Sequence, residues 1–242
     1  LARNGINIVF GDAGEIVASL LSAPQISGLS MTLSSLRTID PTLGAFDTIT
    51  TGDDGDIIFA GQGADTVDAG HGDNLVLGDS GMLTVGVGSA NLGSLALELL
   101  TLTTTDVSVG GADWIRTGLG EDIVLGGTAG DTIETGVAGL VTGDDAADII
   151  LGDHGFINWV NVGDGSTDLA REIESTDVNT GGDDIIRSAE GNDLVLGGTG
   201  SDTIFSGAGN DLVLGDHGRL AGDIDETALP LHTGTLPFDV TA

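Results

Sequence analysis

Residues 188–218 read SAEGNDLVL, GGTGSDTIF, SGAGNDLVL and GDHG. Three consecutive nonapeptides place Gly fourth (Gly191, Gly200, Gly209), Asp sixth (Asp193, Asp202, Asp211) and a β-branched residue eighth (Val195, Ile204, Val213). Six turn-forming residues followed by three apolar or Thr-flanked ones cannot bury an apolar side alone. Such a unit must stack on its neighbours, and a period this short predicts a chain wound into a narrow parallel β-solenoid.

The same register runs outward from this stretch. Position six is Asn7, Asp56, Asp65, Asn74, Asp113, Asp122, Asp131, Asp148 and Asp184 before the three aspartates above. Two places later stands Val or Ile every time, as suits an inward-pointing ladder on a strand. A longer repeat lies over the short one. The tetrapeptide G-D-x-G begins at Gly11, Gly78, Gly152 and Gly215, and after each the nonapeptide register lapses, over about 15–49, 82–108, 156–178 and 219–242. These excursions open on an apolar run and return through a Thr-rich segment near Asp47, Asp106 or Asp177. They are expected to be lateral β-hairpins, the first holding a short helix near Met31–Leu36. Residues 1–242 are read as one continuous all-β solenoid segment. Its LVL strands are apolar on both sides of the inward residue, so a cover is expected over them, either the excursions or a second protomer.

Composition narrows the function. The chain of 242 residues has 38 acidic against 6 basic side chains, a formal charge of -32, yet 40% of its residues are hydrophobic. So much acid in an apolar chain implies cations that neutralise it. Nucleic acid is excluded as a partner, because the phosphate backbone would be repelled. No segment is long and apolar enough for a membrane-spanning helix, since Met82–Thr103 is broken by Gly, Ser, Asn and Glu98. With no Cys there is no disulfide framework.

The pattern resembles the G-G-x-G-x-D-x-U-x repeat of the repeats-in-toxin (RTX) family of calcium-binding β-rolls. The resemblance implies a parallel β-roll with two nonapeptides per coil of about 18 residues. It also implies several calcium ions held between same-side turns by backbone carbonyls and position-six aspartates. Carried over residue by residue, the partners are Asp56 with Asn74, Asp113 with Asp131, Asp184 with Asp202, and Asp193 with Asp211. Asp65 and Asp122 lack an intact partner 18 residues on, and the region 135–148 is irregular, so Asp148 belongs to the weakest site. Among the second-position acids Asp12, Asp53, Asp79, Asp144, Asp153 and Asp216, the candidate ligands are Asp53, Asp79, Asp153 and Asp216. Gly78-Asp79-Ser80-Gly81 looks like a serine-protease nucleophile motif, but the equivalent third places hold Ala13, His154 and His217. Ser80 is therefore read as one variant of a repeat. His71, His154 and His217 are expected to face solvent as spectators.

No catalytic set can be assembled, so the expectation is a non-enzymatic, calcium-stabilised scaffold or adhesin of a large secreted bacterial protein, exported by type I secretion as the resemblance implies. A calcium-binding tail of a secreted protease, lipase or epimerase, or a surface-layer protein, are the alternatives. Expected partners are calcium and further copies in a fibre or tandem array, since Phe238–Ala242 runs into Leu1–Phe10 without a break in register.

Overall fold

The computed structural model describes residues 5–18, 33–86, 99–136, 145–159, 170–224 and 238–241. Among them there is no helix, and three sheets account for the whole architecture.

Two of the sheets are parallel and are the walls of the solenoid. Seven three-residue strands form the first: β1 (Ile8–Phe10), β5 (Ile57–Phe59), β7 (Leu75–Leu77), β11 (Ile123–Leu125), β13 (Ile149–Leu151), β17 (Leu194–Leu196) and β19 (Leu212–Leu214). Six form the second, in the order β4 (Thr48–Thr50), β6 (Thr66–Asp68), β10 (Trp114–Arg116), β12 (Thr132–Glu134), β16 (Ile185–Arg187) and β18 (Thr203–Phe205). Each strand pairs residue for residue with the next coil, so position eight always meets position eight, as in Val76 on Val124 or Ile133 on Ile186. Their side chains point between the walls and form an inner core that includes Ile58, Ile115, Val124, Ile150 and Val195.

The third sheet is antiparallel and is made of the excursions. Its eight strands run β2 (Gly14–Ala18), β3 (Leu33–Thr38), β8 (Gly81–Val85), β9 (Leu99–Thr104), β14 (Gly155–Asn158), β15 (Ala170–Ser175), β20 (Arg219–Ile224) and β21 (Phe238–Thr241), in chain order. Each hairpin leaves the solenoid after a strand of the seven-stranded wall, on every second coil. A hairpin is two strands wide and two coils are two strands high, both at about 4.8 Å spacing, so consecutive hairpins abut without a gap. They also pair with one another, β3 on β8, β9 on β14 and β15 on β20. Return to the solenoid goes through a fixed corner. Asp40, Asp106 and Asp177 adopt φ of 51°, 52° and 51°, a left-handed conformation Asp tolerates, and the first two carbonyls accept the N–H three residues on at 2.8 Å.

The hairpin sheet covers the LVL face. Leu36, Leu83, Leu102, Ile157, Ile173 and Leu220 lie opposite one another in register and pack with Leu77, Leu125, Leu151 and Leu196 in one outer core. Leu194 and Leu196 are 0% and 1% exposed. The all-β roll with lateral hairpins expected from sequence is therefore the architecture found, as three layers.

Two expectations are corrected. The short helix at 31–36 is instead strand β3 from Leu33, residues 31 and 32 lying outside the described residues. Leu33 and Leu36 both face the core three residues apart because the pairing with β2 slips between Val17 and Ala18, a bulge that imitates helical spacing. The same slip recurs opposite Leu99 and at Ala170. The supposed lack of partners for Asp65 and Asp122 is also wrong. Counted by coils, the next same-side aspartate lies 48 residues from Asp65, across a hairpin, and 26 from Asp122, across a stretch whose residues 137–144 lie outside the described residues.

Candidate metal centre

Two ladders of position-six side chains run the length of the solenoid, one along each turn edge. On the edge that bears the hairpins, each carboxylate Oδ1 accepts the backbone N–H of the preceding ladder residue. Asp65 accepts from Asp47, Asp113 from Asp65, Asp131 from Asp113 and Asp184 from Asp131, all at 2.7 Å, and Asp202 from Asp184 at 3.0 Å. On the opposite edge the series is Asn7, Asp56, Asn74, Asp122, Asp148, Asp193 and Asp211, at 2.7 to 3.2 Å. The strand that follows each aspartate fixes its backbone, so stacking in register brings every carboxylate under the next turn.

The second oxygen is what suggests a metal. Oδ2 of Asp56, Asp65, Asp113, Asp122, Asp131, Asp184, Asp193 and Asp202 is buried without a hydrogen-bond partner. A buried carboxylate oxygen that no donor reaches is costly, and a hard cation that takes oxygen ligands would relieve it. Further oxygens are at hand. A methyl group placed on Gly126 would collide with the Gly152 carbonyl and Asp131 Oδ2, and one on Gly152 with the Gly197 carbonyl and Asp184 Oδ2. Gly78 and Gly197 repeat the arrangement with Asp113 and Asp202. Glycine leaves these four cradles open, Ala60 holding the same place in the coil of Asp65, and the donor set of carbonyls and carboxylate is that of a calcium site. Among the described residues no three His, Cys, Asp or Glu side chains converge as a ligand cluster, so backbone carbonyls must complete any shell.

Electrostatics agree. Burial, then the charge of Asp79, pushes the Asp113 carboxyl up to about 9, and burial with the nearby acids takes Asp184 to about 8. Asp131 is raised well above the usual carboxylate range by burial and by Asp113. Burial lifts Asp65 to about 6 and Asp122 and Asp193 to about 7. Without a cation these groups resist ionising where they stand.

The second-position acids divide into two sets. Asp79 and Asp153 are buried at the hairpin necks and already accept two backbone N–H groups each. Asp79 takes Gly111 on the returning limb and Thr128 on the next coil, and Asp153 takes Gly182 and Thr199. Asp12 holds Gln62 in the same way at 2.6 Å. These carboxylates stitch the neck of a hairpin to the coil above it. Asp53 and Asp216 are exposed, and Asp144 lies outside the described residues. Not all the histidines face solvent. His71 is exposed, but His154 is buried with Nε2 3.1 Å from the Val107 carbonyl of the preceding hairpin's return, and burial lowers its pKa. Ser80 is buried at a hairpin base, where its carbonyl accepts the Thr105 N–H at 2.8 Å.

The sequence model of the RTX calcium-binding nonapeptide repeat matches residues 46–81, 109–136 and 178–213. The chain carries RTX calcium-binding repeats. The three matched RTX segments lie within the coil stretches between hairpins, and the repeat they match is a calcium-binding one. No curated protein and no solved structure matches the chain.

Sequence reading missed Asp47, which begins the hairpin-edge ladder. The signal was present, since Asp47-Thr48-Ile49-Thr50 repeats the D-x-U-x half of the nonapeptide. It also missed Thr135, whose hydroxyl donates to Asp148 Oδ2 and so satisfies the oxygen left unpartnered elsewhere.

Proposed function

We propose that this chain is a calcium-stapled structural or adhesive scaffold of a secreted, extracellular protein. The unpartnered Oδ2 atoms carry this reading: eight buried carboxylate oxygens in two continuous ladders want a cation between nearly every pair of coils. The ligands are the ladder aspartates Asp56, Asp65, Asp113, Asp122, Asp131, Asp184, Asp193 and Asp202 with turn carbonyls. Asn74 supplies a neutral oxygen and Asp148 the weakest place. At -32 the metal-free chain opposes its own compaction, and binding to the folded form alone stabilises it by mass action. Such modules bind calcium at roughly 10⁻⁴ to 10⁻³ M, so the chain stays unfolded in a calcium-poor cytosol and folds on export.

A calcium titration after chelation, at pH 7.5 and low salt, followed by circular dichroism and native mass spectrometry, tests this. The expected result is a cooperative rise of β signal with several ions bound per chain. A full β spectrum in the presence of chelator would sink the proposal.

A further inference from the structure

The two walls of the solenoid differ in what covers them: the hairpins hide the outer face of the seven-stranded wall, and nothing in the chain's described residues packs on that of the six-stranded wall. That bare face has two columns running across the strands. In the order β18, β16, β12, β10, β6, β4, the ninth-position column is Phe205, Arg187, Glu134, Arg116, Asp68, Thr50. The seventh-position column is Thr203, Ile185, Thr132, Trp114, Thr66, Thr48. Trp114 and Phe205 are 45% and 53% exposed, each with an arginine guanidinium over its ring.

Charge on this face is unlike charge on the molecule. The chain as a whole stands at -32, but the face carries two arginines against two acids, in strict alternation of sign. We propose that this face docks on the same face of a second copy of the chain, about a two-fold axis parallel to the strands and midway between β10 and β12. That operation reverses the order of the strands and keeps position along them. Arg116 of one copy then faces Glu134 of the other, and Arg187 faces Asp68. Trp114 lies over Thr132, Ile185 over Thr66 and Phe205 over Thr50, so each exposed apolar side chain meets a threonine methyl. All six strands overlap, and every charge meets its opposite. Shifting the axis onto β12 sets Arg116 against Arg187, and shifting it onto β10 sets Glu134 against Asp68. A polar column that alternates in sign rejects displacement by one strand, and displacement by two strands, which keeps opposite charges together, leaves only four of the six strands overlapping. The acidic turn edges cannot dock in this way, since like charges would meet.

The face is small. Six strands at about 4.8 Å and three residues each span about 29 by 10 Å, which buries less than about 1,200 Å² and makes the association weak, with a dissociation constant of about 10⁻⁴ M. It depends on the fold and not on the function proposed above, so it is measured with calcium at saturation and the β spectrum of every variant verified first.

Sedimentation equilibrium up to about 1 mM chain, on wild type, Arg116→Glu and Glu134→Arg, tests the docking. Wild type is expected to dimerise, less so at high salt, and each single variant to associate about tenfold more weakly because two like-charged contacts replace two opposite ones. An equimolar mixture of the two variants is expected to regain the dimer, since Glu at 116 then faces Arg at 134 and the reciprocal pair is intact. A monomeric wild type, a dimer indifferent to both substitutions, or a mixture that stays dissociated would each overturn the proposal. Binding of an acidic polysaccharide to a monomer, with no self-association, would do the same.

Discussion

The two turn edges of the solenoid are built on one plan and differ in the residue that faces each carboxylate. On the hairpin edge the turns begin with Gly78, Gly126, Gly152 and Gly197, and the aspartates opposite them keep an unpartnered oxygen. On the other edge the same place holds Thr51, Thr117, Thr135, Ser188 or Ser206, with Ala69 the one exception. There a hydroxyl reaches Asp148, and Asn74 stands in the ladder as a neutral member. Hydroxyls from Thr117 and Ser188 also lie near enough to ease the pKa of Asp122 and Asp193 without a hydrogen bond to the free oxygen. The hairpin edge therefore stores more uncompensated charge, and the cation is worth most there. A long insertion into a turn adds little closure entropy, and the neck is held by Asp12, Asp79 or Asp153 whether or not an ion is bound.

The largest effect expected is the response of the metal-free chain to acid. Ladder carboxyls have folded pKa values raised to about 9 at Asp113 and about 8 at Asp184, against ordinary values when unfolded. The folded state then binds more protons than the unfolded one between about pH 4 and 9, so its stability rises as pH falls through that window. Chelated protein that is unstructured at pH 7.5 is expected to regain β signal near pH 4.5; a spectrum that stays unfolded down to that pH would show that proton uptake cannot replace the cation.

A methyl on the hairpin edge comes next. Gly126→Ala puts a Cβ against a backbone carbonyl and Asp131 Oδ2, and should cost about 3 kcal/mol and one bound ion. The matching change on the opposite edge, Thr117→Ala, adds nothing and should cost under about 1 kcal/mol. Equal losses from the two would erase the distinction between the edges.

Asp131→Asn has an effect whose sign depends on the ion. With calcium saturating, it removes a ligand charge and should weaken the adjacent site about tenfold. Without calcium it removes a buried charge and should stabilise the fold. Asn74→Asp does the reverse, adding a site on the weaker edge. Isothermal titration paired with chelated melts reads both, and a change of like sign in the two conditions would be inconsistent with the ladder.

The smallest effect is at Thr135. Thr135→Val leaves Asp148 Oδ2 without its donor, for a loss of about 1 kcal/mol in chelated protein held folded near pH 5. Recovery of that loss on adding calcium is the outcome that fits a hydroxyl standing where an ion stands elsewhere.

What the sequence determined by itself was local. The nonapeptide carries its turn, its inward Val or Ile and its carboxylate within nine residues, so the roll, the ion class and most ladder members were legible from Asp56, Asp113 or Asp193 alone. The hairpin nature of the excursions was legible too, from apolar runs that begin and end them. Only the tertiary structure decided which coil stacks on which. Asp65 finds Asp113, and Asp131 finds Asp184, 48 and 53 residues away, because a hairpin between them folds out of the coil and leaves the stacking distance unchanged. Sequence spacing counts every residue, whereas a ladder counts only coils. The third sheet was hidden for the same reason. That Leu36 pairs with Leu83, and Leu102 with Ile157, follows from two strands of hairpin matching two coils of height, a relation of lengths in space that no single stretch of the chain contains.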